Sequence, residues 1–268
     1  MVEGEDYEGA SRAFIEIAGI VDSEVVYMRC AGALRDAGEL EAAVLYCDKA
    51  IEKNPNLHSA YAVKGGVIAG TGDLDSALEL LLTAAFHCKH DALVLYNIGV
   101  AYMQLKNIGK AVEYFEKAIA EDSRSSSAHL NLGGCLYKQG AFNGALKHTE
   151  MALLLEPGLP QALSQKGEIK RFYGEVDEAV RYFERCLLTI PDNYVARLGL
   201  ALCLIEKGEV SGFSLFVRFC IEEYDIELEK TIGVVDVGWD RSNCISIKRE
   251  SNSVYIVGFY DLEVRVCI

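Results

Sequence analysis

The segment His87-Cys88-Lys89-His90 comes closest to a metal-binding motif in this sequence. Imidazole nitrogen and thiolate sulfur are both ligands that zinc accepts. On a helix, however, adjacent side chains point in different directions, so at most two of them can share an ion. We therefore expect ordinary residues at the end of a helix, and neither a metal nor a cofactor in this protein.

The nine cysteines are scattered singly along the chain, and no pair has the spacing C-x-x-C. This pattern is typical of reduced, mostly buried thiols in a cytosolic protein. The sequence also contains no Walker A, G-x-S-x-G or H-E-x-x-H motif. We therefore expect no disulfide, no catalytic residue, a cytoplasmic location and a function other than that of an enzyme.

Polar side chains recur at one position of a regular spacing. Asn97, Asn131 and Gln165 follow one another at equal intervals, and Arg29 lies two such intervals before Asn97. An amide both donates and accepts hydrogen bonds, which suits the backbone of an extended peptide whatever its sequence. The alternative is that these side chains simply face water.

The same interval organises most of the chain, because four series of small residues repeat at it. The series are Gly38, Gly72, Gly140, Gly174 and Gly208, with Lys106 at the missing place; Ala43, Ala77, Ala111, Ala145 and Ala179; Ala31, Gly65, Gly99, Gly133, Gly167 and Ala201; and Ala50, Ala84, Ala118, Ala152, Cys186 and Cys220. The first series predicts helix ends, since glycine adopts the left-handed conformation without penalty. The other three predict helices that approach one another closely.

Each repeat is predicted to hold two helices, and Pro55, Pro157 and Pro191 are expected to end the second helix of theirs. The six units are 24–57, 58–91, 92–125, 126–159, 160–193 and 194–227. Residues 5–20 show the apolar face of one further helix, which we expect to cover the first unit as an N-terminal cap.

The segment from Leu95 to Tyr102, followed by Ala111, Phe115 and Ala118, closely resembles the tetratricopeptide repeat, and residues 129–157 resemble it too. The resemblance covers roughly residues 5–220. It implies an all-α, right-handed superhelical solenoid, which we place at residues 1–227. In the last unit Phe213 stands where the small alanine belongs, so we expect the helix at about 211–230 to be displaced or reshaped.

In that family the position of Arg29, Asn97, Asn131 and Gln165 lines a concave groove. The resemblance therefore implies that these four residues bind a peptide. Some relatives grip a terminal carboxylate with basic residues, which are missing here. The groove positions of the second unit hold small residues instead, which leaves room for bulky ligand side chains or for a helix. These are Ser59, Ala62, Val63, Gly66, Ala69 and Gly70.

From about Thr231 the helical period gives way to short segments rich in Val, Ile and Tyr. We predict a small antiparallel β appendage at residues 228–268, with strands near 231–238, 243–249, 253–259 and 262–267. So short a segment buries too little surface to fold alone. It must dock on the last helices or pair with another chain through an open edge.

The formal net charge of -14 argues against nucleic acid and anionic membrane surfaces as partners, and favours a basic protein segment. We therefore predict a scaffold or adaptor that binds a peptide or helix of a partner protein in the groove. Two alternatives stay open. One is self-assembly through the C-terminal strands or the solenoid ends. The other is an accessory role in an enzyme or ligand sensor whose site lies near the C-terminal strands.

Overall fold

A computed structural model describes residues 7–209, 233–239, 246–250, 253–258 and 262–267. The described chain forms two compact units, residues 1–199 and 200–268. Within the described residues, no helix combines the length and the apolar character needed to cross a membrane.

The described residues contain twelve helices, which follow one another and alternate in length. Helix α1 and the second helix of each pair have 14 residues, whereas the first helix of each pair has 13. They are α1 Tyr7–Ile20, α2 Glu24–Asp36, α3 Leu40–Lys53, α4 His58–Gly70, α5 Leu74–His87, α6 Ala92–Gln104, α7 Ile108–Glu121, α8 Ser126–Lys138, α9 Phe142–Leu155, α10 Pro160–Phe172, α11 Val176–Thr189 and α12 Tyr194–Glu206.

These boundaries confirm the predicted helix pairs over the described residues. The five glycines of the first series all have positive φ, between 75° and 93°, and Lys106 adopts the same conformation with a φ of 60°. At the C-terminal end of α6, the N–H of Asn107 donates to the carbonyl oxygen of Tyr102 at 2.9 Å, as in a Schellman motif. The reshaped helix predicted at 211–230 lies outside the described residues.

The small residues stand where first and second helices touch. A Cβ atom added to Gly99 would lie 2.8 Å from the ring of Phe115, and one added to Gly65 would lie 2.9 Å from Leu81. The second-helix alanines are fully buried, Ala111 among them. Because a methyl group at these glycines would clash with the facing side chain, and a larger side chain at the buried alanines would force the helices apart, the repeat requires small residues there.

Within residues 1–199, helices pack against their neighbours in the sequence, and first helices also contact first helices. Contacts join α2 to α4, α4 to α6, α6 to α8 and α8 to α10, while no such contact joins second helices in the described part of the chain. Elements that lie closer together occupy the inner side of a bend. The first helices therefore form the inner, concave face of this unit, which we call the groove face.

Four strands follow in the second unit, at β1 Gly233–Trp239, β2 Ser246–Glu250, β3 Ser253–Gly258 and β4 Leu262–Cys267. They form one sheet in the order β1-β4-β3-β2. All three pairings are antiparallel, and the β1–β4 pairing has an irregular register between Gly233 and Asp236. The sheet order places β1 and β2 at its two edges.

Candidate functional site

The predicted peptide-binding residues lie on successive first helices. Asn97 is on α6, Asn131 on α8 and Gln165 on α10, and all three are half-buried. Arg29 is exposed on α2. The period of the repeat thus places the three amides along the groove face, one from each of three consecutive units. Their surroundings, however, differ.

Asn131 already makes a hydrogen bond to the neighbouring unit. Its Nδ2 donates to the hydroxyl oxygen of Tyr96 at a distance of 3.0 Å. Burial raises the pKa of the Tyr96 hydroxyl, and hydrogen bonds from Asn131 and Ser127 oppose that rise. The bond engages one of the two N–H groups of the Asn131 amide and fixes the orientation of the side chain.

The side chain of Gln165 is more constrained than that of Asn131, because it extends into the space between the fourth and fifth units. The hydroxyl of Thr149 lies 2.7 Å from Gln165 Oε1 and 2.8 Å from the carbonyl oxygen of Ala145. Thr149 occupies the repeat position that holds Phe115 and Phe183 in the neighbouring units, and it is fully buried. A threonine leaves part of that space empty, and the longer glutamine side chain fills it. The threonine at a large-residue position was the sequence signal for this contact.

Asn97 is the least constrained of the three amides. Among the described residues, no hydrogen bond engages its side chain. Towards α4, the groove face offers room, since a Cβ added to Gly66 or Gly70 would meet no atom within 4 Å. The groove face therefore has free space at Gly66 and Gly70 of the second unit, and the Asn97 amide of the third unit can turn towards a ligand.

The fourth unit also contains a histidine pair in its interior. His129 Nδ1 and His148 Nδ1 lie 2.9 Å apart, and His129 Nε2 lies 3.3 Å from the carbonyl oxygen of Ser123. If Nε2 carries the His129 proton, then His148 Nδ1–H donates to His129 Nδ1. Burial lowers the pKa of His148, and the charges of His129 and Lys147 lower it further.

Two lysines on first helices stand at positions where the repeat usually has a large apolar residue. Lys64 Nζ lies 2.5 Å from Asp48 Oδ1, and Lys166 Nζ lies 2.9 Å from Glu150 Oε1. In both cases the carboxylate comes from the second helix of the preceding unit. An ion pair between units therefore accounts for each lysine, with the aliphatic stem buried beneath the charged end.

The two histidines of the segment 87–90 have side chains that contact different neighbours. The ring of His87 stacks on Tyr61 at 5.7 Å between ring centres, and His90 Nδ1 lies 2.8 Å from Glu121 Oε1. These two histidines thus face different neighbours, as expected for adjacent residues at a helix end.

Cysteines with described side chains are free thiols. Five of them are buried: Cys30, Cys47, Cys135, Cys186 and Cys203. Burial raises the pKa of Cys47 to about 12 and also raises the pKa of Cys30, Cys135 and Cys186. A thiol is a weak nucleophile while it stays protonated, so these four serve packing. Cys220 and Cys244 lie outside the described residues.

Residues 92–125 match the family model of the tetratricopeptide repeat. Hsp70-Hsp90 organizing protein 3 from Arabidopsis thaliana is 22% identical over 244 residues, which cover 77% of this chain and 44% of that protein. This chain therefore spans less than half the length of that relative.

Two solved structures have the same fold. YrrB, a tetratricopeptide repeat protein with an unusual peptide-binding site, superposes with a TM-score of 0.56 and 22% identity, covering 70% of this chain and 97% of YrrB. PilF from Pseudomonas aeruginosa gives a TM-score of 0.67 at 18% identity, covering 83% of this chain and 96% of PilF. The family-model match identifies a tetratricopeptide repeat at residues 92–125, and the two solved structures show that the chain shares their fold.

Proposed function

We propose that this protein is an adaptor, and not an enzyme, whose groove face binds an extended or helical segment of a partner protein. The observation that carries the proposal is the row of amides on α6, α8 and α10, with open space beside α4. The relatives support a role in protein–protein interaction, since one is an organizing protein of Hsp70 and Hsp90 and YrrB has a peptide-binding site.

We propose Asn97, Asn131, Gln165 and Arg29 as the contact residues, with unequal roles. Asn97 can turn both its donor and its acceptor towards a peptide backbone. Asn131 donates one of its two N–H groups to Tyr96, so it offers a ligand its carbonyl oxygen and its second N–H. Gln165 contributes mainly by shaping the groove through Thr149. Arg29, exposed on α2, would meet an acidic group or a carbonyl of the ligand.

The partner segment is proposed to be basic. The net charge of -14 attracts Lys and Arg residues and should speed association at low salt. Ion pairs between units already engage Lys64 and Lys166. These two cations are therefore neutralised rather than directed at a ligand. A cytoplasmic location stays a prediction that rests on the pattern of unpaired cysteines.

The test begins with capture of a partner from native lysate and mapping of the bound segment as a synthetic peptide. The variant Asn97→Ala/Asn131→Ala should bind that peptide about tenfold more weakly, since each lost backbone hydrogen bond costs about 0.5–1.5 kcal/mol. Gln139→Ala is the matched control, because Gln139 is an exposed amide at the end of α8 and outside the amide row. Equal affinity for all three proteins would place the binding site elsewhere.

Gln165 is left out of this first variant for a structural reason. Its loss would remove a hydrogen-bond partner of the buried Thr149 and so confound binding with stability. The affinity of Gln165→Ala for the peptide must therefore be compared with the stability of the variant, measured from its unfolding curve. A loss of affinity without a loss of stability would assign Gln165 to the ligand.

A second role is proposed for residues 228–268, as a β-rich appendage of a solenoid at residues 1–227. The sheet order favours self-assembly as the alternative function, since β1 and β2 are edge strands that can pair with another chain. Deletion of 231–268 should then lower the number of chains per particle, as calculated from the mass measured by light scattering. An unchanged number of chains would exclude assembly through these strands, and retained ligand binding by the deletion variant would exclude a sensor site there.

A further inference from the structure

Three side chains with metal-binding atoms converge at the junction of the second and third units. His58 is the first residue of α4, Cys88 caps the C-terminus of α5, and Asp91 caps the N-terminus of α6. One ligand atom from each lies within 4.8 Å of the other two, and all three residues are half-buried. His58 Nε2 and Asp91 Oδ2 are 3.2 Å apart. An imidazole nitrogen, a thiol and a carboxylate therefore share one small volume.

The repeat geometry explains why His58 and Cys88 meet. His58 is the first residue of its unit, and Cys88 lies three residues before the end of that unit. The equivalent residues of the fourth unit, Ser126 and Glu156, form a hydrogen bond of 3.1 Å. The repeat thus brings these two positions together in both the second and the fourth unit. Among the six repeats, only the second places an imidazole and a thiol at them. The proximity is a property of the fold, while the ligand chemistry is particular to this junction.

Helix ends hold the backbone of the cluster in place. Asp91 Oδ1 accepts hydrogen bonds from the N–H groups of Leu93 and Val94, at 3.0 and 3.1 Å, which turns Oδ2 towards His58. The N–H of Cys88 donates to the carbonyl oxygen of Ala84 at 2.9 Å. Because each backbone is fixed by its helix, only side-chain rotation is needed to adjust the three ligand atoms.

The distances suit a tetrahedral cation. With metal–ligand bonds of about 2.0–2.1 Å, a tetrahedral nitrogen–oxygen edge measures about 3.3 Å, close to the separation of Nε2 and Oδ2. A thiolate at about 2.3 Å from the metal would lie about 3.6 Å from the other two atoms. The Cys88 sulfur lies within 4.8 Å of both, so binding requires at most a small approach. Mixed nitrogen, sulfur and oxygen ligands select zinc and similar borderline metals over magnesium or calcium.

We propose that His58, Cys88 and Asp91 bind one divalent cation of the zinc class, with the fourth position open to water or to a donor from a bound partner. The sequence led us to expect no metal, because the candidate ligands in the segment 87–90 are adjacent residues. The structure instead joins Cys88 to residues on two other helices, while His90 faces Glu121. A cation here would link α4, α5 and α6 and so stiffen the junction beside the open part of the groove.

The experiment uses the whole 268-residue chain, stripped of metal by a chelator and kept reduced. Zinc is titrated in competition with a chromophoric chelator, and cobalt is used separately to detect thiolate coordination by its charge-transfer absorption. We expect one equivalent of tightly bound zinc, a sulfur-to-cobalt band, and a higher melting temperature with zinc than without it.

Three variants each remove one ligand, namely Cys88→Ser, His58→Gln and Asp91→Asn. Asparagine caps a helix about as well as aspartate, so Asp91→Asn should keep α6 intact while it removes the anionic oxygen. Loss of an outer partner of a metal site already costs about 10–100-fold in affinity, so loss of a ligand should cost at least that much. Cys88→Ser should also abolish the sulfur band.

His90→Gln is the matched control, because His90 lies in the same loop but pairs with Glu121. It should bind zinc as the parent does. Three results would each overturn the proposal: no stoichiometric zinc binding by the parent, zinc affinity unchanged in Cys88→Ser, or an equal loss of affinity in His90→Gln. Circular dichroism of each variant separates a lost ligand from a lost fold.

Discussion

The third unit, residues 92–125, and the fourth unit, residues 126–159, have matching helices but different interiors. At three equivalent positions the third unit has Leu95, Tyr114 and Phe115, whereas the fourth has His129, His148 and Thr149. The first set packs as apolar side chains. In the second set, one hydrogen bond joins His129 to His148, and a separate one joins Thr149 to Gln165 of the next unit.

The repeat backbone therefore accepts two kinds of core. Phe115 and Thr149 are both fully buried, although their side chains differ greatly in volume. In the third unit the ring of Phe115 fills the gap between the helices. In the fourth unit a glutamine from the next helix fills it, and a hydrogen bond satisfies the polar atoms that the exchange introduces. The fourth core therefore depends on specific partners, and the third on packing.

The largest effect is expected from Phe115→Ala. Removal of a fully buried phenylalanine should lower the free energy of unfolding by about 3–5 kcal/mol, because a cavity remains between α6 and α7. Urea unfolding followed by circular dichroism measures the loss. Thr149→Ala removes far less volume from the equivalent position and should cost clearly less. Equal losses in the two variants would mean that the third core does not depend on packing.

A smaller effect is expected from Thr149→Val, which keeps the shape but removes the hydroxyl. Gln165 Oε1 then loses its donor, which should cost about 1–3 kcal/mol. In the double variant Thr149→Val/Gln165→Met both partners become apolar, so part of the loss should return. Additive losses in the double variant would contradict the hydrogen-bond account of the fourth core.

The histidine pair should make the fourth unit sensitive to acid. The pKa of His148 is lowered in the folded state, so below the ordinary histidine pKa of about 6.5 the unfolded chain binds more protons than the folded one. Its contribution to stability is therefore complete above about 6.5 and is lost as the pH falls below that value.

The matched variant is His129→Leu/His148→Tyr, which installs the residue types of the third unit. Between pH 7.5 and pH 5 the parent protein should lose more stability than this variant, as measured by thermal unfolding. All other titrating groups are the same in the two proteins, so the difference isolates the histidine pair. Parallel pH profiles would exclude the pair as the acid-sensitive element.

The smallest effect concerns the turn after the first helix, where the third unit has Lys106 and the fourth has Gly140 at positive φ. A left-handed conformation costs a lysine about 1–2 kcal/mol. Lys106→Gly should therefore stabilise by about 0.5–1 kcal/mol, less than the full strain because glycine also makes the unfolded chain more flexible. Gly140→Lys should destabilise by a similar amount. Changes of the same sign in both variants would contradict this account.

The helix pairs could be predicted from the sequence because the information is local. Glycine ends a helix through its own φ, and a small residue marks a close contact within its own unit, as Gly99 does with Phe115. The amide row was also predictable, since the constant period places Asn97, Asn131 and Gln165 at equivalent points of successive first helices. Their use by a ligand stays a prediction.

The partners of these residues could not be predicted from the spacing. Asn131 bonds to Tyr96 and Gln165 to Thr149, both across a boundary between units. Lys64 and Lys166 appeared out of place in the sequence and are explained by carboxylates of the preceding unit. Each contact depends on the side-chain volume of the neighbouring unit as well as on its position.

The period, the helix pairs and the close contacts within each unit are encoded in the sequence, because they follow from backbone conformation and residue size at fixed intervals. Which polar atoms meet depends on the tertiary structure, as it does for His58, Cys88 and Asp91 at the ends of three helices. The difference lies in range. A hydrogen bond requires two atoms within about 3 Å, and the ligand atoms of a metal site must converge on one point, so across units both depend on how the helices stack.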